Sequence, residues 1–285
     1  MGEIAVPNLL LDGLRFAECP RWRNGKLWFS DIFNHRVMTV DEDGNADTVV
    51  DFTSGELPTG LGFLPDGRLL VALMNEPKIV RLDGPDGIRV HADIAHLAVG
   101  GLNDMIVDDA GRAYVGAMGT NPASAIRPVL ADGNIILVEP DGSSRVVAEE
   151  LDMPNGPGLS ADGSTYIVSE FPSSRLTSFD RSPDGSLLNR RVWADLSPGT
   201  ADGIAVDSSG GVWTCSPFTR EVRRVLEGGE ITDVISYPDD KIPLACCLGG
   251  STGRKLFILI AVGTVEDIGA RTNTSIIEVT TTSVG

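Results

Sequence analysis

Six times along this 285-residue chain, two short runs of β-forming residues flank a polar turn that ends in glycine. The clearest copy is residues 201–216, ADGIAVDSSGGVWTCS, where an acid opens the first run and Ser208-Ser209-Gly210 separates it from the second. The others begin at Glu18, Thr59, Asn103, Asn155 and Ala245. Each reads as a β-hairpin bounded by Gly and Ser. The turn glycines are Gly25, Gly67, Gly111, Gly163, Gly210 and Gly253, spaced by 42, 44, 52, 47 and 43 residues. A period of about 40–45 with several strands per repeat is that of a propeller blade.

The expected fold is therefore all-β: one domain over residues 1–285, a six-bladed β-propeller with four-stranded blades and almost no helix. The sixth repeat has only three strands of its own. A lone strand predicted at residues 4–11 supplies the fourth, closing the ring and leaving no unpaired edge. The long interval after the third hairpin places extra residues in 119–130, GTNPASAIRPVL, read as a loop over the channel mouth that contains Asn121. Loops of that length are commonly functional.

A net charge of −17 argues against a nucleic-acid partner and against anionic lipid. No apolar run approaches the roughly 18 residues needed to span a bilayer. The N-terminus, MGEIAVPNLLLDG, lacks the basic start of a secretory signal. A cytoplasmic protein with reduced thiols is the expectation. The four cysteines show no CxxC spacing, and Cys19 and Cys246 are read as small buried hydrophobes that approach the channel. None of the three histidines stands at the start of an innermost strand, so a Ser-His-Asp triad has no support. Nothing in the sequence sets an oligomeric state.

In a propeller the innermost strands surround a central channel, so matching positions converge at one end. Those positions are Glu18, Thr59, Asn103, Asn155, Asp202 and Ala245. Four of them are acids or amides, an oxygen-donor set suited to one hard divalent cation. Calcium fits best, with magnesium, manganese or zinc also able to bind.

The motifs AECPRW (17–22), LNDMIVDDAGRAYVG (102–116), PNGPGLSADGSTYIVSE (154–170), ADGIAVDSSGGVW (201–213) and CLGG (247–250) carry a resemblance. The chain resembles the SMP-30/gluconolactonase/luciferin-regenerating-enzyme family of six-bladed propellers over essentially its whole length. That resemblance implies that Glu18, Asn155 and Asp202 bind one divalent metal. It implies that Asn103 contacts substrate or a metal-bound water, and that the reaction is lactone hydrolysis of a small molecule. Sugar lactonases of the family carry Arg two positions before the ND asparagine; here Gly101 stands there. Met118, Phe171 and Phe218 follow the inner hairpins at the mouth, so a less polar substrate is expected.

The leading expectation is a lactonase in which the metal polarises the carbonyl and Asp202 is the general base. Two alternatives remain at this point. One is a hydrolase or lyase of the same fold that cleaves another carbonyl-adjacent bond, such as C–C. The other is a metal-binding propeller with no activity.

Overall fold

The computed structural model describes residues 6–84, 87–119, 132–171 and 173–285. These form six four-stranded antiparallel sheets arranged in a ring, a six-bladed β-propeller. The innermost strands, in blade order, are Ala17–Arg23, Pro58–Phe63, Leu102–Val107, Pro154–Leu159, Ile204–Val206 and Lys241–Gly249. Each blade runs outward by hairpins. Blade one, for example, continues through Lys26–Asp31, Arg36–Asp41 and Ala46–Asp51.

Sequence pattern and burial agree along that path. The second strands of blades two and three, LLVAL and AYVGA, are buried throughout, whereas the outermost strand of blade one, ADTVVD, is mostly exposed. The apolar side chains meet between neighbouring blades, with a buried cluster at each of the six junctions. Serines in second strands tie one blade to the next. Ser30 Oγ donates to Thr59 O at 2.6 Å, and Ser169 Oγ donates to Asp202 O at 2.6 Å.

Blade six closes as the sequence predicts: Asn8–Leu14 pairs antiparallel with the C-terminal strand Thr274–Thr281. The strand begins at Asn8, where residue 4 was predicted, and runs on to Leu14 through two register shifts. Pro7 has no N–H to give the ladder, which accounts for the later start. Residues 1–5 lie outside the described set. The helices bounded within the described residues are one turn of 3₁₀ at Ile32–Asn34 and a six-residue α-helix at Val265–Ala270. Among the described residues no helix is long and apolar enough to cross a membrane.

The innermost strands share a feature the hairpin pattern does not show. Four of them carry a bulge of one extra residue close to the predicted site position. The inserted pairs are Cys19-Pro20, Thr59-Gly60, Asn103-Asp104 and Asn155-Gly156. In blade six the irregularity comes earlier, at Leu244. A bulge breaks the strict alternation of a strand and re-aims its side chains.

The glycines that follow Asn155 and Asp202 are required by close packing. A Cβ on Gly156 would stand 2.5 Å from the amide nitrogen of Ile204 in blade five. A Cβ on Gly203 would stand 2.5 Å from Cα of Ala245 in blade six. The NG and DG pairs are thus one oxygen donor for the channel followed by one glycine that lets the next blade close in.

Candidate active site

The bulges and the close approach of blades four, five and six bring three of the predicted residues together. Asp202, just ahead of the innermost strand of blade five, is held by its N–H to Cys215 O at 2.9 Å and by the Ser169 hydroxyl on its carbonyl. Its side chain is 7% exposed and accepts a hydrogen bond from Asn155. Burial, with the Asp104 carboxylate next, pushes the Asp202 carboxyl up to about 8 against the pull of the Asn155 bond. Glu18, in blade one, is half-buried; burial first and Asp202 second push its carboxyl well above the usual range. Its own Oε2 accepts the Cys19 N–H at 3.0 Å. Two carboxylates therefore share a poorly solvated space beside an amide.

Asn103 stands in the bulge of blade three, with its amide nitrogen 3.4 Å from Pro154 O in blade four. That is a long bond for an N–H donor, so the amide is weakly held. Thr59 is buried and turns its hydroxyl to Ala72 O. The matching position in blade six is Ala245, which brings no donor.

Two residues of the site are absent from the sequence reading: Asp104 and Arg21. Where blades two, four and five place Gly60, Gly156 and Gly203, blade three has Asp104, 6% exposed. Its Oδ1 accepts from Arg21 Nη2 at 2.8 Å and from the Met105 N–H at 2.8 Å. Arg21 crosses from blade one and also donates to Pro20 O at 2.6 Å and to Met105 O. Burial raises the Asp104 carboxyl, and the Arg21 guanidinium offsets part of that rise. The departure from glycine after Asn103 was the available signal, but only the bulge shows that this residue turns inward. The inner thiols complete the wall: Cys19 bonds to Asp104, and Cys246 lies close enough to raise the Glu18 carboxyl further.

A divalent cation suits this donor set. Arg21 is committed to Asp104, which among the described residues leaves Glu18 and Asp202 without a positive partner, and buried charges need one. Glu18, Asp202 and the Asn155 amide oxygen are hard donors of the calcium or magnesium type. Among the described residues no group of three His, Cys, Asp or Glu side chains could hold a metal by itself. The amide oxygen and solvent are therefore needed to complete a coordination shell.

Two of the apolar residues expected at the mouth touch each other. Phe171 and Phe218, from blades four and five, meet edge to face at 5.5 Å between centroids, and Phe218 is 58% exposed. Met118 is nearly buried and its N–H donates to Gly101 O at 2.9 Å, so these two act through one backbone turn. Asn121 and most of the 119–130 loop lie outside the described residues.

Six blades around a channel mouth lined by carboxylate and amide oxygens define a propeller whose polar chemistry is gathered at one end. Residues 16–262 match the family described as SMP-30/Gluconolactonase/LRE-like region, and the chain belongs to that family. It is 28% identical to a 6-deoxy-6-sulfogluconolactonase of Pseudomonas putida over 250 residues, covering 85% of this chain and 81% of that protein. It is 26% identical to a pentonolactonase of Haloferax volcanii over 216 residues, 74% of this chain and 70% of the relative. A solved structure of a luciferin-regenerating enzyme shares the fold, with a TM-score of 0.80 and 20% identity over 98% of this chain and 96% of that one.

Proposed function

We propose that this chain is a metal-dependent lactonase that opens a comparatively apolar lactone at the carboxylate end of its channel. The family and the two relatives named as lactonases support the reaction class. The observation that carries the reading within this chain is the pair of carboxylates, Glu18 and Asp202, brought together beside Asn155 with no cationic partner among the described residues.

Glu18, Asn155 and Asp202 would hold the ion. A divalent cation there would polarise the ester carbonyl and stabilise the negative charge that develops on its oxygen. The protein's own residues do the rest. Asp202 has two oxygens, one for the ion and one to accept the proton of the attacking water. Asn155 fixes the plane of that carboxylate by its hydrogen bond. Asn103, weakly tethered to Pro154 O, turns its amide N–H toward the substrate carbonyl. As water adds to the carbonyl carbon, the ring C–O bond breaks. The proton held by Asp202 passes to the departing alkoxide, giving a hydroxy acid.

Both relatives are named for sugar lactones. The substrate is where this chain departs from them. Gly101 offers no side-chain donor to a sugar hydroxyl, and the Phe171–Phe218 pair presents an apolar edge at the mouth. The test is a panel of sugar and alkyl lactones assayed with and without chelator. Hydrolysis should need the ion and favour the alkyl lactones. A higher kcat/KM on gluconolactone than on every alkyl lactone tried would defeat the substrate assignment, and full activity in chelator would defeat the metal.

A further inference from the structure

Asp104 is the third carboxylate of the channel, and the proposed reaction gives it no part. Its place in the fold is particular. Blades two, four and five put Gly60, Gly156 and Gly203 at the matching position, and a Cβ on any of them would come within 2.5 Å of the next blade's backbone. Blade three carries a side chain there, in the bulge at Asn103-Asp104, and holds it 6% exposed. Arg21 reaches it from blade one: Nη2 donates to Asp104 Oδ1 at 2.8 Å, where the Met105 N–H also donates at 2.8 Å. A guanidinium and an amide on one oxygen fix the carboxylate and favour its charged form.

The ion pair does not face the cluster symmetrically. Burial first, then the Asp104 charge, raises the Asp202 carboxyl, and only the Asn155 bond pulls against that rise. At Glu18 burial and Asp202 come first, and Asp104 adds to them. The Arg21 guanidinium lies instead against Pro20 O and Met105 O. The pair therefore presents its carboxylate to Asp202 and its guanidinium away from it. Cys19 and Tyr166, the weak acids beside Asp104, are pushed up by burial and stay neutral. Asp104 thus adds one negative charge to those of Glu18 and Asp202. The three carboxylates do not converge on one point, since among the described residues no group of three His, Cys, Asp or Glu side chains could hold a metal. Asp104 stands behind the proposed ligands and is not one of them.

We propose that Asp104 is a positioning residue of the ion site: from behind Glu18 and Asp202 its charge, held in place by Arg21, sets how tightly a hard cation binds. This rests on the ion-binding part of the proposed function. The attraction is Coulombic and scales with the valence of the cation. A charge behind the ligands therefore favours a trivalent ion over a divalent one of similar size, such as terbium over calcium. A residue that only shapes the site would favour neither.

The test is calorimetric titration of calcium, and separately of terbium, into the full-length, metal-free protein in one buffer. Asp104→Asn keeps an acceptor for Arg21 and removes the charge. Calcium affinity should fall about 10–100-fold, the scale for partners that stand behind metal ligands. Terbium affinity should fall by more, by about half as much again on a logarithmic scale. The double variant, Arg21→Met with Asp104→Asn, leaves neither charge unpaired, so it carries the test if the single variant fails to fold. It should still bind calcium more weakly than the unaltered protein, while its melting temperature recovers part of what the single variant loses. Equal calcium affinity in Asp104→Asn, an equal fold-loss for the two ions, or unaltered affinity in the double variant would each overturn the inference and leave the lactonase reading standing. No calcium binding by the unaltered protein would overturn both.

Discussion

The two ends of the innermost strands carry opposite chemistry. At the N-terminal end Glu18, Asn155 and Asp202 gather negative charge and amide oxygen with no cation to spare. Toward the C-terminal end Arg21 is spent on Asp104, Pro20 O and Met105 O, and Arg23 lies over the Phe63 ring at 4.6 Å. Between them stands one ion pair, Arg21–Asp104 at 2.8 Å, which uses charge from each side. A strand of six or seven residues is about 20 Å long, far enough for two environments of opposite sign to coexist when a salt bridge separates them. The lesson is that one propeller channel can hold two electrostatic environments, divided by a single ion pair.

The strongest way to break the contrast is at Asp202. Asp202→Asn keeps an oxygen for the ion and removes the proton acceptor. Turnover should fall by about 10²–10⁴-fold, the scale of a lost general base. The check is kcat on a reactive lactone at saturating metal with metal content measured in the same sample; full occupancy with unchanged kcat would remove Asp202 from the chemistry.

Next comes the partition itself. Arg21→Met leaves Asp104 buried without its cation, a loss of about 3 kcal/mol for a broken buried pair. Thermal melting should show a fall of several degrees, and Arg21→Met with Asp104→Asn together should recover part of it. Equal melting of wild type and Arg21→Met would mean that the pair separates nothing.

A smaller effect concerns protons. The Asp202 carboxyl is raised from 3.8 to about 8, so the folded, ion-free protein holds a proton that the unfolded chain has released. Stability must then fall as pH rises through that window, and Glu18 acts in the same direction. In chelator, Tm should drop by a few degrees between pH 5 and pH 8, at about 2–4 °C per kcal/mol for a chain this size. Calcium should restore it. His91, whose ring is pushed below its ordinary value by burial, works the opposite way, but it does so equally in Asp202→Asn. The readout is therefore the difference between the two proteins, and a difference that is flat with pH would refute the assignment.

The smallest expected change is at the mouth. Phe218→Ser removes a ring that is 58% exposed and meets Phe171 at 5.5 Å. KM for an alkyl lactone should rise about fivefold, near 1 kcal/mol of lost apolar contact, with kcat nearly constant. An unchanged KM would place the substrate elsewhere on the rim.

Much of this was legible before any coordinates. The glycine spacing marks the blades, and counting back from each turn glycine lands on Glu18, Asn103, Asn155 and Asp202. The N-terminal strand follows from the missing fourth strand of blade six; among the described residues it starts at Asn8, because Pro7 cannot join a ladder. What stayed hidden depends on phase. Strict alternation assigns Asp104 to the face opposite Asn103 and says nothing of Arg21. The extra residue in four of the innermost strands, blade three's among them, resets that alternation, and no residue type announces it. The Phe171–Phe218 contact was hidden for another reason: it joins loops of two blades, and sequence spacing carries no information about how neighbouring loops lean.

The closure of blade six also has a meaning for how the protein is born. Asn8 pairs with Val279, so the strand Asn8–Leu14 must wait through synthesis of five blades for its partner. Pairings this distant in sequence form late, because long loops must close first. Glu18 lies just beyond that waiting strand, and Asp202 arrives with blade five, so the cluster proposed to hold the ion is expected to assemble only once Thr274–Thr281 has been made. A chain stalled on the ribosome before Thr274–Thr281 emerges should take up no calcium, and its release should bring uptake; tight binding by the stalled chain would show that the cluster forms without the closed ring. On the proposed reading, a nascent chain built this way stays chemically silent until its ring closes.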